Sequence, residues 1–584
     1  MDVDELLNYQ PDKPQPSKRS VPNSTLPTTT VAKRAKKSTD FAPFSANGAA
    51  TGSNIASLST DEKEKLLEML ENESNNEPLD ETSLKRMISQ LEKRILKNQE
   101  MRIKHPDHPE KFMESEMELN DGIQELHQVA AQPDLYHIII NMNGVQLLLG
   151  LLTHENTDIS IAVVNLLQEL TDVDTLTESG EQATLLIDAL AEQQIVSLLV
   201  QNMDRLDENI KEEAEGIHNS LGIIITIYLT LIHCLFLHLA VVENMTEFRP
   251  VTCIDACKQG LLQYLLKRLK IKSPFDSIRL YCSELLSILL QNHDENRQTL
   301  GELDGIDILL QQLAYYKRHD PQTSEEYEYM ENLFSCLCSA LIFANNRQKF
   351  LKGEGPHLMN IMLKEKKASR NGALRTLNFA MTGSEGKDNC QKIVDILGLR
   401  TIFPLFMKPP KGNRKAGETR AENEEHSISC VASLLRNCTG SNRQRVLMKF
   451  TENDHEKVDR LMELHFRYLE RVRTTDNEIE KERRTLQNYD DDEQDQEDEI
   501  YMKRLDAGLF TLQLLDYILV EIASATNIPS IKQRILQILN LRNGTTKEIK
   551  NIVREYASNL GNKNTEEKER EIEKEHLLEL IEKF

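Results

Sequence analysis

Apolar residues recur at helical spacing through most of this chain, and the clearest example is the stretch Asn143–Asp172. It has the pattern of two apolar helices joined by a polar turn, in which Asn156 and Asp158 stand where a helix N-cap is needed. The apolar residues on one face are Val145, Leu148, Leu149 and Leu152 in the first helix and Ile159, Val163, Leu166, Leu167 and Leu170 in the second. Such a pair cannot bury its apolar face alone, so the pattern predicts neighbours of the same kind.

A glycine, or a residue in its place, recurs just before an apolar helix and marks these neighbours. The landmarks are Gly144, Gln194, Gly260, Gly305, Gly355 and Gly398. Successive landmarks lie 50, 66, 45, 50 and 43 residues apart, and most of these intervals are near the period of about 40–47 residues of armadillo and HEAT repeats. The sequence therefore predicts an all-α fold, a right-handed α-solenoid of armadillo/HEAT type with about six repeats between residues 132 and 440.

The segments outside the repeats have different compositions. Residues 61–131 predict an N-terminal helical cap, because the end of a solenoid needs a polar face. Residues 441–584 predict a C-terminal helical region with an acidic loop at 490–499. Residues 1–60 are rich in polar residues and proline and lack apolar periodicity, so we expect a disordered tail. Its first ten residues, MDVDELLNYQ, are either a short docking helix or part of that tail.

The interval of 66 residues is too long, and its excess falls in the uncharged apolar run Leu221–Val242. By length this run qualifies as a membrane-span candidate. A span here would place the cores of two neighbouring repeats on opposite sides of a bilayer. Removing about 18 residues would bring the interval into the range of the others. We therefore favour an in-frame insertion, such as translated intron sequence, over a span.

Charge and cysteine content narrow the class of protein. The 584 residues carry a net charge of −24, which disfavours broad binding to nucleic acids or anionic membranes and favours basic partners. The nine cysteines are scattered, mostly on apolar helix faces, as in a reduced intracellular protein. The first residues lack the basic and apolar regions of a secretory signal.

We find no pattern of catalytic or metal-binding residues. His455 and Glu456 lack the second histidine of the zinc-protease helix motif, and the pairs Cys253/Cys257 and Cys336/Cys338 lack a partner pair at zinc spacing. The sequence therefore predicts a protein that is not an enzyme and that binds neither a metal nor a cofactor.

Two surface features remain as candidate sites. A basic cluster in the tail has the composition of a nuclear-import signal read by import receptors: Lys18, Arg19, Lys33, Arg34, Lys36 and Lys37. If the second helix of each predicted pair lines a concave groove, carboxylates there are available to the Lys and Arg side chains of an extended basic peptide. The candidates are Glu169, Asp172, Glu212, Glu213 and Glu215.

Several stretches resemble a known family. They are KFMESE at Lys111–Glu116, NTDISIAVVNLLQELTD, ELDGIDILLQQL, FLKGEG, DILGLRTIFPLFMK, KFTENDHEKVDRLMELHF and RLDAGLF, with the opening MDVDELLNYQP. In this order they resemble the beta-catenin-like family of armadillo-repeat, spliceosome-associated proteins, from about Glu77 to the C-terminus. The resemblance implies a nuclear solenoid associated with the nineteen complex, which binds basic, nuclear-localisation-like segments of splicing proteins. The chain departs from the family pattern at Leu221–Val242.

Other readings stay open. An importin-like transport adaptor is one, although the chain has no tryptophan with which importin-like grooves pack lysine stems. A membrane-tethered signalling protein, anchored at Leu221–Val242, is another. We expect neither direct nucleic-acid binding nor a membrane interaction, and a homodimer through the apolar ends of the array is a further arrangement that the pattern permits.

Overall fold

The computed structural model describes residues 79–172, 184–238, 250–412, 419–485, 493–525, 528–559 and 567–584, and no strand occurs in these ranges. Two long helices come first, α1 (Glu81–Lys104) and α2 (Pro109–Glu125). Asp80 begins α1, because its side chain accepts a hydrogen bond from the Ser83 amide at 2.8 Å. Short 3₁₀ turns at Leu126–Ala131 and Pro133–Leu135 then lead into the repeats.

Six repeats follow, and each has three helices rather than the two that the apolar pattern predicts. The first three are α3 (Tyr136–Asn141), α4 (Gly144–Leu151) and α5 (Thr157–Leu170); α6 (184–192), α7 (Ile195–Arg205) and α8 (Lys211–His238); α9 (Pro250–Lys258), α10 (Leu261–Lys270) and α11 (Ser277–Leu290). The next three are α12 (Asp294–Glu302), α13 (Gly305–Tyr315) and α14 (Ser324–Ala340); α15 (Ala344–Lys352), α16 (Gly355–Glu365) and α17 (Arg370–Met381); α18 (Lys387–Asp395), α19 (Leu399–Met407) and α20 (Arg420–Asn437).

The glycine landmarks mark the sharp junction between the first and second helices of a repeat. One residue at each junction has a left-handed backbone: Asn143, Gln194, Gly260, Asp304, Glu354 and Leu397. A glycine often follows, because the junction brings it against the first helix. A Cβ at Gly355 would lie 2.3 Å from the ring of Phe350, and one at Gly305 would lie 2.6 Å from Leu300 Cγ. The landmarks therefore reflect this close approach.

A repeated Asn-Arg pair ties the first helices to the preceding repeat. The Nε atoms of Arg297 and Arg347 donate to the carbonyls of Leu290 and Leu341, at 3.0 and 2.7 Å. These carbonyls end third helices and lack partners within the helix, so the arginines cap them. The preceding asparagines are buried and donate to nearby carbonyls in the same way. These polar contacts thus fix α12 and α15 to the helices beside them.

Corresponding helices of successive repeats pack side by side along the array. The third helices of successive repeats, from α5 through α8, α11, α14 and α17 to α20, are in closer contact with one another than the first or the second helices are. Stacked repeats of this kind present an extended concave binding surface, and we call the exposed surface of the third-helix layer, the most extensively packed of the three, the concave face. The all-α armadillo solenoid predicted from the sequence is confirmed.

The apolar run Leu221–Val242 lies partly within the third helix α8. This helix has 28 residues, whereas α5 and α11 have 14 each. The side chains of Leu221, Ile223, Ile224, Ile227 and Tyr228 are buried in the repeat core, and no side chain is described from 229 to 253. None of the helices in the described ranges has the length and hydropathy to cross a membrane. The interpretation of the run as an insertion stays a prediction.

The C-terminal region continues the array. Its helices are α21 (Gly440–Met448), α22 (Glu456–Thr485), α23 (Glu493–Asp506), α24 (Leu509–Ala523), α25 (Pro529–Leu541), α26 (Thr546–Ser558) and α27 (Glu567–Lys583). The loop expected at 490–499 is wrong from Glu493 onward, where the acidic run forms the first turns of α23. Residues 490–492 lie outside the described ranges.

Candidate functional site

The third helices carry an asparagine at the same position in four of the six repeats. Asn165, Asn219, Asn332 and Asn378 are each the ninth residue of their helix, and each is half-buried on the concave face. Asn219 Nδ2 donates to Asn165 Oδ1 at 2.9 Å, so this series links neighbouring repeats. A side-chain amide both donates and accepts hydrogen bonds, which suits it to pair with the backbone of an extended peptide.

Carboxylates and tyrosines stand beside these asparagines. Glu215, Glu284, Glu328 and Glu331 lie on the same face of α8, α11 and α14, within one turn of the asparagine position. Arg375 on α17 forms an ion pair with Glu331 at 3.1 Å. Tyr281 and Tyr327 are half-buried among them. The face is therefore acidic from the first to the fourth repeat and becomes mixed at the fifth.

The predicted groove residues differ in their surroundings. Glu169, Asp172, Glu212 and Glu215 are exposed, and Glu169 Oε2 lies 2.7 Å from His127 Nδ1. Glu213 has a structural position instead, because it accepts hydrogen bonds from the Asp207 amide at 2.6 Å and from Thr157 Oγ1 at 3.2 Å. The basic cluster at Lys18, Arg19, Lys33, Arg34, Lys36 and Lys37 lies outside the described residues.

Histidines on this face are held neutral by burial. His218 contacts the Tyr281 ring edge-on, with ring centroids 4.7 Å apart, and burial lowers the pKa of His218. Burial and the nearby Arg375 lower the pKa of His426 to about 4, so its Nδ1 can accept from Asn378 Nδ2 at 3.2 Å. The carboxylates therefore set the charge of this face at neutral pH.

The open part of the face ends at the sixth repeat. There α24 covers α20, and every residue of α24 except Phe510 is buried. The open part spans the third helices from α5 to α17, and helices packed about 9–10 Å apart give about 40 Å. An extended chain of about 12 residues matches this length.

The asparagines were missed from the sequence, although one signal was available. The signal is that all four asparagines are the ninth residue of their helix. It could not be used, because a pattern of apolar residues locates the start of a helix only to within a few residues. In the part of the chain that the structure describes, no cluster of His, Cys, Asp and Glu could hold a metal ion. Burial raises the pKa of the Cys282 and Cys430 thiols to about 12.

Comparisons with known proteins agree with this architecture. The chain matches the model of a family described as catenin-beta-like, Arm-motif containing nuclear, over residues 64–234 and 230–554, two segments that meet inside the apolar run. It is 58% identical over 508 residues to human Beta-catenin-like protein 1, covering 87% of each chain. It is 32% identical over 474 residues to the Schizosaccharomyces pombe homolog, covering 80% of this chain and 78% of that one.

Similar solved structures are more distant. An engineered protein matches with a TM-score of 0.41 and 14% identity over 80% of this chain and 95% of its own. A designed armadillo repeat protein in complex with the peptide (KR)4 matches with a TM-score of 0.35 and 14% identity, over 49% of this chain and 98% of its own.

Proposed function

The chain belongs to the catenin-beta-like, Arm-motif containing nuclear family, and from this premise we propose that it is a non-enzymatic nuclear scaffold of the pre-mRNA splicing machinery. It would bind basic, nuclear-localisation-like segments of splicing proteins along its concave face. The observation that supports this is the series of aligned asparagines flanked by carboxylates. The link to splicing and to the nineteen complex rests on the family resemblance.

Each component of the concave face would recognise a different part of such a peptide. The asparagine amides would hold the peptide backbone, and Glu215 and Glu284 would pair with Lys or Arg side chains. Tyr281 and Tyr327 would contact the aliphatic stems, a smaller surface than tryptophan offers. Because apolar packing is limited, binding should depend mainly on charge.

We expect the affinity for a basic peptide to fall steeply with salt and with loss of the carboxylates. The probe is the full chain titrated with fluorescein-labelled (KR)4, followed by fluorescence anisotropy. Exposed ion pairs are each worth about 0.2–1 kcal/mol, so the triple variant Glu212→Gln/Glu215→Gln/Glu284→Gln should bind about 3- to 150-fold more weakly. Raising the salt concentration should weaken the binding of (KR)4 to the unmodified chain by a similar factor, because exposed charges are screened.

The matched control removes the same charge from the first and second helices and from a junction between them: Glu302→Gln/Glu354→Gln/Glu365→Gln. This variant should bind (KR)4 within about twofold of the unmodified chain, since screening limits charge effects to about 10 Å at moderate salt. Equal losses in the two variants, or binding that does not respond to salt, would contradict the acidic-groove proposal.

We expect the basic cluster of the tail to direct nuclear import. Replacing Lys33, Arg34, Lys36 and Lys37 by alanine removes the charges that an import receptor would pair with. In cells, the variant fused to a fluorescent protein should shift from the nucleus to the cytoplasm, whereas Lys63→Ala/Lys65→Ala should stay nuclear. An unchanged distribution of the first variant would show that import uses other residues.

The importin-like adaptor is the second candidate function, and the same cells distinguish it. An adaptor would shuttle between nucleus and cytoplasm with its cargo, whereas a scaffold would remain with splicing proteins in nuclear extract after nuclease treatment. A homodimer stays a prediction, which sedimentation velocity of the purified chain would measure.

A further inference from the structure

Leu397 is an unusual residue for its position between α18 and α19. Its backbone is left-handed, with φ 63°, and its side chain is 47% exposed. The corresponding junctions in the other five repeats carry Asn143, Gln194, Gly260, Asp304 and Glu354. Polar residues and glycine tolerate this conformation better than leucine does. The sixth repeat therefore holds a large apolar side chain in solvent at a conformational cost.

A second exposed apolar side chain lies near Leu397 and lines the same cavity. Met448, at the end of α21, is 55% exposed. Together they line a cavity of about 470 Å³, here called the outer groove, on the first and second helices and away from the concave face. It is lined by Leu397, Leu399, Arg400, Ser441, Gln444, Arg445, Met448 and Lys449.

The charge of the outer groove is opposite to that of the chain as a whole. Arg400 is exposed and forms no ion pair with any described residue. Arg445 donates to the Val394 carbonyl at 2.9 Å and lies 3.9 Å from Asp395. Lys449 forms an ion pair with Glu452 at 2.7 Å, and no carboxylate is among the lining residues.

We propose that the outer groove docks an acidic amphipathic helix of a partner protein. The apolar face of that helix covers Leu397 and Met448, and its flanking carboxylates pair with Arg400 and Arg445. Amphipathic helices bind grooves of this kind through apolar residues spaced by three and four positions. Charge complementarity selects an acidic helix over a basic one.

This site is independent of the concave face and recruits a partner of opposite charge. A basic segment meets the carboxylates of the third helices, whereas an acidic helix meets arginines on the outer helices. The scaffold would therefore hold two classes of partner at once, each excluded from the other site by like charge.

The test uses the full chain and a synthetic acidic amphipathic peptide of about four helical turns, with leucines on one face and glutamates beside them. A second peptide carries lysine in place of every glutamate. Fluorescence anisotropy should show binding of the acidic peptide that weakens at least about tenfold in Leu397→Asn and in Arg400→Glu. The control Leu541→Asn, at another exposed leucine, should leave the affinity unchanged.

Leu397→Asn separates loss of docking from loss of folding. Asparagine is favoured in the left-handed conformation, so this variant should melt at the same temperature as the unmodified chain or about 1–2 °C higher. Weaker binding at undiminished stability would support a docking role for Leu397. The proposal would be overturned if Leu397→Asn bound the acidic peptide as tightly as the unmodified chain does. It would also be overturned if the lysine peptide bound more tightly than the acidic one and Leu397→Asn weakened that binding.

Two other occupants of the outer groove would give different experimental results. Self-association of the chain that Leu397→Asn abolishes would assign the groove to a second copy. Binding of a single-stranded RNA oligonucleotide that Arg400→Glu abolishes and Leu397→Asn leaves intact would assign it to phosphates. Either result would overturn the proposal of an acidic helix.

Discussion

Replacing Glu424 by glutamine should destabilise the junction between the repeats and the C-terminal region by about 3 kcal/mol. Glu424 lies on α20, its side chain is only 6% exposed, and it holds α22 through three contacts. Its Oε1 accepts from Arg460 at 2.9 Å, and its Oε2 accepts from the Tyr468 hydroxyl at 2.9 Å and from Arg467. Glutamine would leave the half-buried Arg460 with only the exposed Glu463 as a charge partner and would turn an amide N–H₂ toward these donors.

The same arginine provides the control. Arg460 also forms an ion pair with Glu463 at 2.9 Å, but the Glu463 side chain is 58% exposed. Glu463→Gln should therefore cost less than about 0.5 kcal/mol. Hydrogen–deuterium exchange of α20 and α22 measures both effects locally, and about 3 kcal/mol corresponds to about 100-fold faster exchange through opening. Similar exchange in the two variants would show that burial does not govern the strength of this ion pair.

The second and third helices of each repeat were predictable because they bury a continuous apolar face. The first helices were not, because each is short and those of the fourth to sixth repeats are mostly polar. The nine residues of α15, ANNRQKFLK, include Phe350 as the large apolar side chain fixed in the core. The available signal was a recurrent motif, Asn-Arg-Gln at Asn296, Asn346 and Asn442. Its meaning depends on which carbonyls the side chains reach, which only the folded structure shows.

The candidate site was predictable in charge but not in detail. The apolar pattern placed Glu169 and Glu215 on helices that line the concave face. Glu213 has the same local pattern, yet its carboxylate accepts a hydrogen bond from the Asp207 amide in the loop before α8, a contact that the spacing of apolar residues does not reveal. The outer groove was also missed, because an exposed leucine such as Leu397 is ordinary in a sequence and becomes unusual only with its backbone angle.

Two adjacent asparagines on α15 should respond oppositely to one substitution. Asn346 is 1% exposed, and its Nδ2 donates to the carbonyls of Arg297 and Ala340, at 2.8 and 3.0 Å. Asn346→Asp puts a carboxylate oxygen against two carbonyl oxygens in a buried site, so the variant should lose about 3–5 kcal/mol. The expected signature is faster amide exchange in α12, α14 and α15, the three helices that Asn346 joins.

Asn345 is the matched control, since it precedes Asn346 and its side chain is exposed. Asn345→Asp adds the same charge in the first turn of α15, near the positive end of the helix dipole, where it should stabilise the helix by about 0.3–0.5 kcal/mol. Exchange in α15 should then be unchanged or slower. If both variants were destabilised alike, added charge alone would explain the loss, and the hydrogen bonds of Asn346 would not be what joins the fourth and fifth repeats.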